Sequence, residues 1–165
     1  MIASGMDGKG RHRLGAVPGG TLLAIAVLLT LVIFLAVRIG GSTAPTPEVF
    51  SETASETLAA AIERSRSEGR PVFALVTADW CPPCQTYKRT TLADESVQRM
   101  LRERAIPFYI DADTQRDDLR TLSSLGLDVR GIPATVIIAD GRIVAHPTGV
   151  QSKGDIESLL ARAGG

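Results

Sequence analysis

The sequence predicts an α/β protein, in which a mixed β-sheet is flanked by helices and follows a single apolar N-terminal segment. Apolar runs typical of buried strands alternate with segments of helical periodicity between Ser51 and Gly165. The only two cysteines of the 165 residues, Cys81 and Cys84, lie where one of these strands meets a helix. A stretch without a charged residue, residues 14–37, precedes this region. Together these observations indicate a helix-covered sheet that carries one cysteine pair and follows a hydrophobic helix.

The predicted elements of the C-terminal region follow the order α-β-α-β-α-β-β-α, if the helical segments on both sides of Asp94 are counted together. Asp94 is a typical N-cap, and Asp140-Gly141 predicts a hairpin turn. The strands are predicted at 71–76, 106–112, 134–139 and 142–146, and the helices near 55–69, 85–89, 94–101, 117–125 and 152–163. This order is typical of a mixed sheet with helices on both faces.

Residues 14–39 are predicted to form a transmembrane anchor. Their core, Leu22 to Val37, is apolar except for Thr30. About 20 residues with a rise of ~1.5 Å each cross a hydrocarbon layer of ~30 Å. Basic residues before the stretch predict that the N-terminus stays in the cytoplasm. These residues are Lys9, Arg11 and Arg13.

The chain is predicted to contain a cytoplasmic tail (residues 1–13), the anchor (14–39), a linker rich in small residues (40–50) and a folded domain (51–165). We expect a single-pass protein of the inner (cytoplasmic) membrane, with its domain in the periplasm or another extracytoplasmic space. A cleaved signal peptide is the alternative, because residues 42–44 are small, although Pro45 directly after them should oppose cleavage.

The charge balance gives no indication of nucleic-acid binding. Lysine and arginine number 18, aspartate and glutamate also number 18, and no basic cluster lies outside the N-terminal tail. We therefore expect no nucleic acid among the partners.

The cysteine pair predicts dithiol–disulfide exchange. Cys81 is expected at the start of a helix, where free N–H groups and the helix dipole favour a thiolate. Such sites lower the pKa of a thiol from about 8.5 to roughly 3.5–7.5. Cys84 lies one turn further on, close enough to attack a mixed disulfide at Cys81. Cys81 is thus the predicted nucleophile and Cys84 the resolving cysteine.

Other uses of two cysteines are less consistent with the sequence. A structural disulfide would close almost no loop here. A zinc site would need two further ligands, and the only histidines are His12 and His146. Covalent haem attachment requires a histidine where Gln85 stands. A module that binds or delivers a soft metal such as Cu(I) through the two thiolates remains the alternative function.

The motif Trp80-Cys81-Pro82-Pro83-Cys84 resembles the active site of thioredoxin-fold proteins, and the segment 130–135 resembles their cis-proline loop. The lead-in from Ala78 and the segment 91–97 are similar to the C-terminal thioredoxin-like domain of DsbD-type transmembrane disulfide reductases and their stand-alone relatives. The resemblance covers about Ser51 to Ala163. It implies a thioredoxin-like fold and a thiol:disulfide oxidoreductase that needs no cofactor or metal.

Roles are also expected for residues around the cysteines, from the resemblance for Ile132-Pro133 and from their position beside Cys81 for Trp80 and Asp79. Ile132-Pro133 is expected to be cis and to bind an extended substrate segment, although a plain strand-entry proline would look the same. Trp80 is expected to form apolar surface beside the sulfur rather than core. Asp79 is a candidate for proton transfer or only a solvated turn residue.

Two departures from the family pattern concern proton transfer. Thioredoxins carry a buried carboxylate six residues before the first cysteine, and here that position is Leu75. The lysine that accompanies it falls at about Tyr109. The usual internal proton relay is therefore expected to be absent.

The predicted direction of electron flow is reduction of protein or peptide disulfides. Pro83 occupies the place of the histidine that stabilises the thiolate in oxidising sites, and no basic residue lies between Asp79 and Tyr87. We therefore expect only a modest lowering of the Cys81 pKa, which is typical of a reductant. The resemblance to DsbD-type domains implies a membrane protein of that type as electron donor.

Overall fold

The computed structural model describes residues 19–40 and 43–164, which divide into two units. The first unit contains helix α1, Gly19–Gly40, whose alanine and leucine residues have high helix propensity. The second unit begins at Thr43, before the predicted boundary at Ser51.

None of the helices in these two ranges combines the length and the apolar character needed to cross a membrane. The transmembrane helix predicted at residues 14–39 is therefore not confirmed. Its first five residues, the predicted tail 1–13 and linker residues 41–42 lie outside the described part of the chain.

The second unit contains five helices and four strands among its described residues. The helices are α2 (Leu58–Glu68), α3 (Pro82–Arg89), α4 (Glu95–Arg104), α5 (Arg116–Ser124) and α6 (Lys153–Ala163). The strands are β1 (Val72–Thr77), β2 (Ile106–Asp111), β3 (Ala134–Ala139) and β4 (Arg142–Ala145). Short 3-10 helices cover Glu48–Thr53 and Thr91–Ala93. The predicted order of elements is confirmed, with bounds that differ by a few residues.

Local signals in the sequence define several element ends. The Asp94 carboxylate accepts hydrogen bonds from the N–H groups of Ser96 and Val97, so Asp94 caps α4 as predicted. Asp140 and Gly141 both have positive φ, 52° and 73°, which is the geometry of a two-residue hairpin turn.

The four strands form one mixed sheet in the order β2-β1-β3-β4. β1 is parallel to β2 and antiparallel to β3, which is antiparallel to β4. Pro107 is accommodated because β2 lies at the edge of the sheet, where a missing N–H donor is tolerated.

Successive side chains of β1 belong alternately to two hydrophobic cores, one on each face of the sheet. Val72, Ala74 and Val76 belong to the core formed with α2 and α5. Phe73 and Leu75 belong to the core on the other face, formed with α4 and α6. Because both faces of β1 are covered, every residue of this strand is buried, which explains the apolar run from Val72 to Val76.

Candidate active site

The strand register brings the cysteine motif and the proline loop together. β1 and β3 are antiparallel, and Val76 near the end of β1 pairs with Ala134 at the start of β3. The residues that follow β1 therefore lie beside the residues that precede β3. Cys81 and Pro133 are distant in sequence, but this register places them at the same end of the sheet.

Cys81 is the N-cap residue of α3. Its sulfur accepts a hydrogen bond from the N–H of Cys84 at 3.2 Å, which confirms the predicted position at a helix N-terminus. Pro82 and Pro83 occupy the first turn, where N–H groups have no helical partner in any case. A nearby N–H donor stabilises a sulfur anion, so this geometry favours the thiolate of Cys81 after reduction.

Cys81 and Cys84 are joined by a disulfide bond, with an S–S distance of 2.09 Å and a Cα–Cα distance of 5.2 Å. Cys81 is 3% exposed and Cys84 is 1% exposed. The two residues pack with Ala78 and Ile132 in a small apolar cluster. Both sulfurs thus lie in a largely desolvated environment, in which nearby charges interact strongly with them.

The peptide bond between Ile132 and Pro133 is cis, as the resemblance implies. The carbonyl oxygen of Ile132 lies 3.8 Å from the sulfur of Cys81. The backbone of Ile132 is therefore adjacent to the sulfur that a substrate would have to reach.

Trp80 is 68% exposed, which agrees with the predicted surface role rather than a core role. Its indole N–H donates a hydrogen bond to the carboxylate of Asp113 at 2.8 Å. Asp113 lies in the loop after β2. The ring next to Cys81 is therefore exposed and oriented in this structure by one hydrogen bond.

Asp79 forms an ion pair with Lys88, with an Oδ1–Nζ distance of 3.3 Å. The side chain of Asp79 is 63% exposed, and that of Lys88 is 1% exposed. This contact does not test the predicted role of Asp79 in proton transfer, which stays a prediction.

Sequence reasoning missed two polar residues of α3, Gln85 and Lys88. The side-chain amide of Gln85 donates hydrogen bonds to the carbonyl oxygens of Ala78 and Asp79, and its oxygen accepts one from the N–H of Ala44. A signal was present, because positions 81, 84, 85 and 88 form one face of a helix. Two polar residues on the cysteine face indicate contacts with the active-site loop.

The two positions of the usual proton relay are neighbours in this structure. Leu75 is fully buried and pairs with Tyr109 across β1 and β2. The ammonium group of Lys88 lies 5.9 Å from the centre of the Tyr109 ring. The carboxylate position is thus apolar, but a lysine from another element lies close to the second position.

No group of three or more potential metal-ligating side chains occurs within residues 19–40 and 43–164. His146 lines a surface pocket with Arg130 and Thr148 and is not part of the sulfur cluster. These observations do not test the Cu(I) alternative, which requires only the two cysteines.

The mixed sheet, the cysteine pair that caps α3 and the adjacent cis-proline define a thioredoxin-like dithiol–disulfide protein. A family model described as Thioredoxin-like matches residues 53–139, and the chain belongs to this family of thiol:disulfide oxidoreductases. The thiol:disulfide interchange protein DsbD of Escherichia coli strain K12 is 30% identical over 82 residues, which cover 49% of this chain and 14% of that protein.

Two solved thioredoxins share the fold. The thioredoxin of Thermus thermophilus has a TM-score of 0.54 and 22% identity, and the match covers 66% of this chain and 87% of that protein. The thioredoxin of Fasciola hepatica has a TM-score of 0.51 and 21% identity, and the match covers 65% of this chain and 94% of that protein.

Proposed function

We propose that this protein reduces disulfide bonds in proteins or peptides through the dithiol form of Cys81 and Cys84. The observation that carries the exchange chemistry is the hydrogen bond from the Cys84 N–H to the Cys81 sulfur at the start of α3, and the reducing direction rests on the lack of a basic residue between Asp79 and Tyr87. It favours the anionic form of Cys81, and the thiolate is the reactive form in disulfide exchange.

The reaction would proceed in two exchanges. The Cys81 thiolate attacks one sulfur of the substrate disulfide, and the other substrate sulfur leaves as a thiolate that takes up a proton. Cys84 then loses its proton and attacks Cys81 in the mixed disulfide, which releases the second substrate thiol. Two electrons pass to the substrate, and the protein is left with the Cys81–Cys84 disulfide seen in the structure. The cysteine pair carries the electrons, so no organic cofactor is needed.

Trp80, Ile132 and Pro133 would bind the substrate around Cys81. The exposed Trp80 ring, hydrogen-bonded to Asp113, offers an apolar surface beside Cys81. The backbone of Ile132, beside the Cys81 sulfur, would pair with an extended substrate segment. Backbone pairing of this kind recognises many sequences, which suits a reductant with several substrates.

The proposed location is the inner membrane, with the folded domain on its outer side. The apolar run from Leu22 to Val37 and the basic residues before it support this topology. Large apolar side chains of α1, from Leu23 to Leu35, are exposed in the unit that contains them. A membrane electron donor of the DsbD type would return the protein to its dithiol form.

The test of the reaction is single-turnover reduction of a model disulfide protein by the full-length chain in its dithiol form. We expect rapid reduction by the wild type, none by Cys81→Ser, and a trapped mixed disulfide with Cys84→Ser. Equal rates for the wild type and Cys81→Ser would contradict the proposal.

The direction is tested by redox titration of the full-length chain against glutathione. We expect a midpoint well below roughly −150 mV, because a reductant must lie away from the strongly oxidising end of the scale. A midpoint above that value would identify an oxidase.

The topology is tested separately in membranes from cells that express the full-length chain. We expect the protein to resist extraction with alkaline carbonate and its domain to be accessible to protease from the outer side. A mature protein that starts near Pro45 would refute the retained anchor and support signal-peptide cleavage.

A further inference from the structure

Lys88 is a buried charge that the proposed reaction does not use. Its side chain is 1% exposed, and its ammonium group lies 3.3 Å from the Asp79 carboxylate and 5.9 Å from the centre of the Tyr109 ring. Burial of an ammonium group is costly unless it is paired, so a neutral residue would be expected here without a specific role.

Helix geometry places Lys88 on the face of α3 that carries Cys84. Lys88 lies one turn after Cys84 on the same face of α3, and side chains of a helix lean towards its N-terminus. The lysine therefore extends back along the turn that contains Cys84. It ends at Asp79, which lies two residues before Cys81.

The two charges of the pair differ in their access to water. The Asp79 side chain is 63% exposed, so solvent weakens its field, whereas Lys88 is almost fully enclosed. The sulfurs of Cys81 and Cys84 are also buried. The positive charge consequently acts on the sulfurs through a low-dielectric medium, and the negative charge compensates it only in part.

We propose that Lys88 is a positioning residue that stabilises the thiolate-bearing reduced form of the Cys81–Cys84 pair, with Asp79 as its moderating counter-ion. This inference rests on the proposed function and adds an electrostatic control of the redox midpoint. In the exchange, the protein dithiol passes two electrons to glutathione disulfide, which yields the protein disulfide and two glutathione thiols. A cation near the sulfurs favours the dithiol side, and an anion favours the disulfide side.

The experiment compares the glutathione equilibrium of the full-length wild type with Lys88→Met, Asp79→Asn and the double variant. Methionine retains an unbranched apolar chain in the buried site, and asparagine retains the shape of Asp79. Arg64→Met is the control, because it breaks the ion pairs of Arg64 on α2 with Glu56 (3.3 Å) and Glu68 (3.8 Å), and none of these residues belongs to the sulfur cluster.

We expect opposite shifts from the two members of the ion pair. Lys88→Met should favour the disulfide by about three- to tenfold and lower the midpoint, where tenfold corresponds to about 30 mV. Asp79→Asn should favour the dithiol and raise the midpoint by a smaller factor. The double variant should lie between them, and Arg64→Met should match the wild type.

Midpoint shifts of the same sign in both single variants, or no shift in either, would overturn the inference. Both variants break the same ion pair, so a merely structural effect would not depend on which of the two charges is removed. If Lys88→Met does not fold, the exposed Asp79→Asn still decides the question, since an unchanged or lowered midpoint refutes the proposal. A wild type that equilibrates with glutathione but reduces no protein disulfide contradicts the proposed function and leaves this inference standing.

Discussion

Gln85 is expected to stabilise the folded domain by connecting three backbone groups. Its oxygen accepts a hydrogen bond from the N–H of Ala44, and its amide donates to the carbonyl oxygens of Ala78 and Asp79. The side chain is largely buried, with 8% of the residue exposed. Replacement by methionine keeps the approximate size of the side chain and removes all three hydrogen bonds.

The expected loss of stability arises mainly at Ala44. In the variant, the Ala78 carbonyl still accepts a hydrogen bond from the N–H of Cys81. Asp79 is an exposed residue, so its carbonyl can accept a hydrogen bond from water. Ala44 is only 5% exposed, so its N–H would be left buried and unpaired. Such a group costs about 1–3 kcal/mol, and we expect Gln85→Met to lower the free energy of unfolding by about 2 kcal/mol.

The assay is urea unfolding of the oxidised full-length chain, followed by circular dichroism. A loss of about 2 kcal/mol with a slope of about 2 kcal/mol per molar lowers the urea midpoint by about 1 M. Hydrogen exchange of the Ala44 amide should accelerate in parallel. Gln98→Met, on the partly exposed surface of α4, is the control and should stay within about 0.5 kcal/mol of the wild type. Equal midpoints for Gln85→Met and the control would refute the burial argument.

Two further predictions concern pH. Burial raises the pKa of Tyr87 from 10.0 to about 12, against a smaller lowering by its hydrogen bond with Thr135, so the folded state favours the neutral phenol. This stabilisation, about 2–3 kcal/mol, is present below pH 10 and is lost as the pH rises towards 12. The urea midpoint of Tyr87→Phe should therefore fall less steeply across that pH range than the midpoint of the wild type. Hydrogen bonds from the Ser96 hydroxyl and from the N–H groups of Ser96 and Val97 lower the pKa of Asp94 below 3.8. The ionised carboxylate therefore stabilises the folded state above that pH, and this stabilisation is lost as the pH falls through the lowered pKa. Asp94→Asn should therefore lose less stability than the wild type on acidification to about pH 2, and parallel acid curves for the two proteins would contradict this reasoning.

Much of the fold could be predicted because its signals are local. The N-cap at Asp94 and the turn at Asp140-Gly141 depend on hydrogen bonds and backbone angles within a few residues. The same is true of Cys81 at the start of α3, since the apolar strand, the prolines and the second cysteine are all nearby in the chain. Local interactions of this kind can be inferred from the sequence without knowledge of the tertiary contacts.

Residues of the site that depend on long-range contacts could not be predicted in the same way. Gln85 and Lys88 are ordinary polar residues in the sequence, and a solvated helix face is the usual environment for both. Their burial follows from the packing of α3 against the sheet and the segment around Ala44. The cis geometry before Pro133 was expected only from family resemblance, because X–Pro bonds are mostly trans.

The sequence by itself determined the element order, the cap at Asp94 and the redox-type cysteine pair, because their signals lie in short stretches of consecutive residues. Only the tertiary structure decided that Val76 pairs with Ala134, and hence that the proline loop lies beside Cys81. It also decided that the Lys88 side chain is buried and paired with Asp79 rather than solvated. The physical reason is that strand register and burial depend on the packing of the whole domain, whereas caps and turns depend on backbone groups a few residues apart.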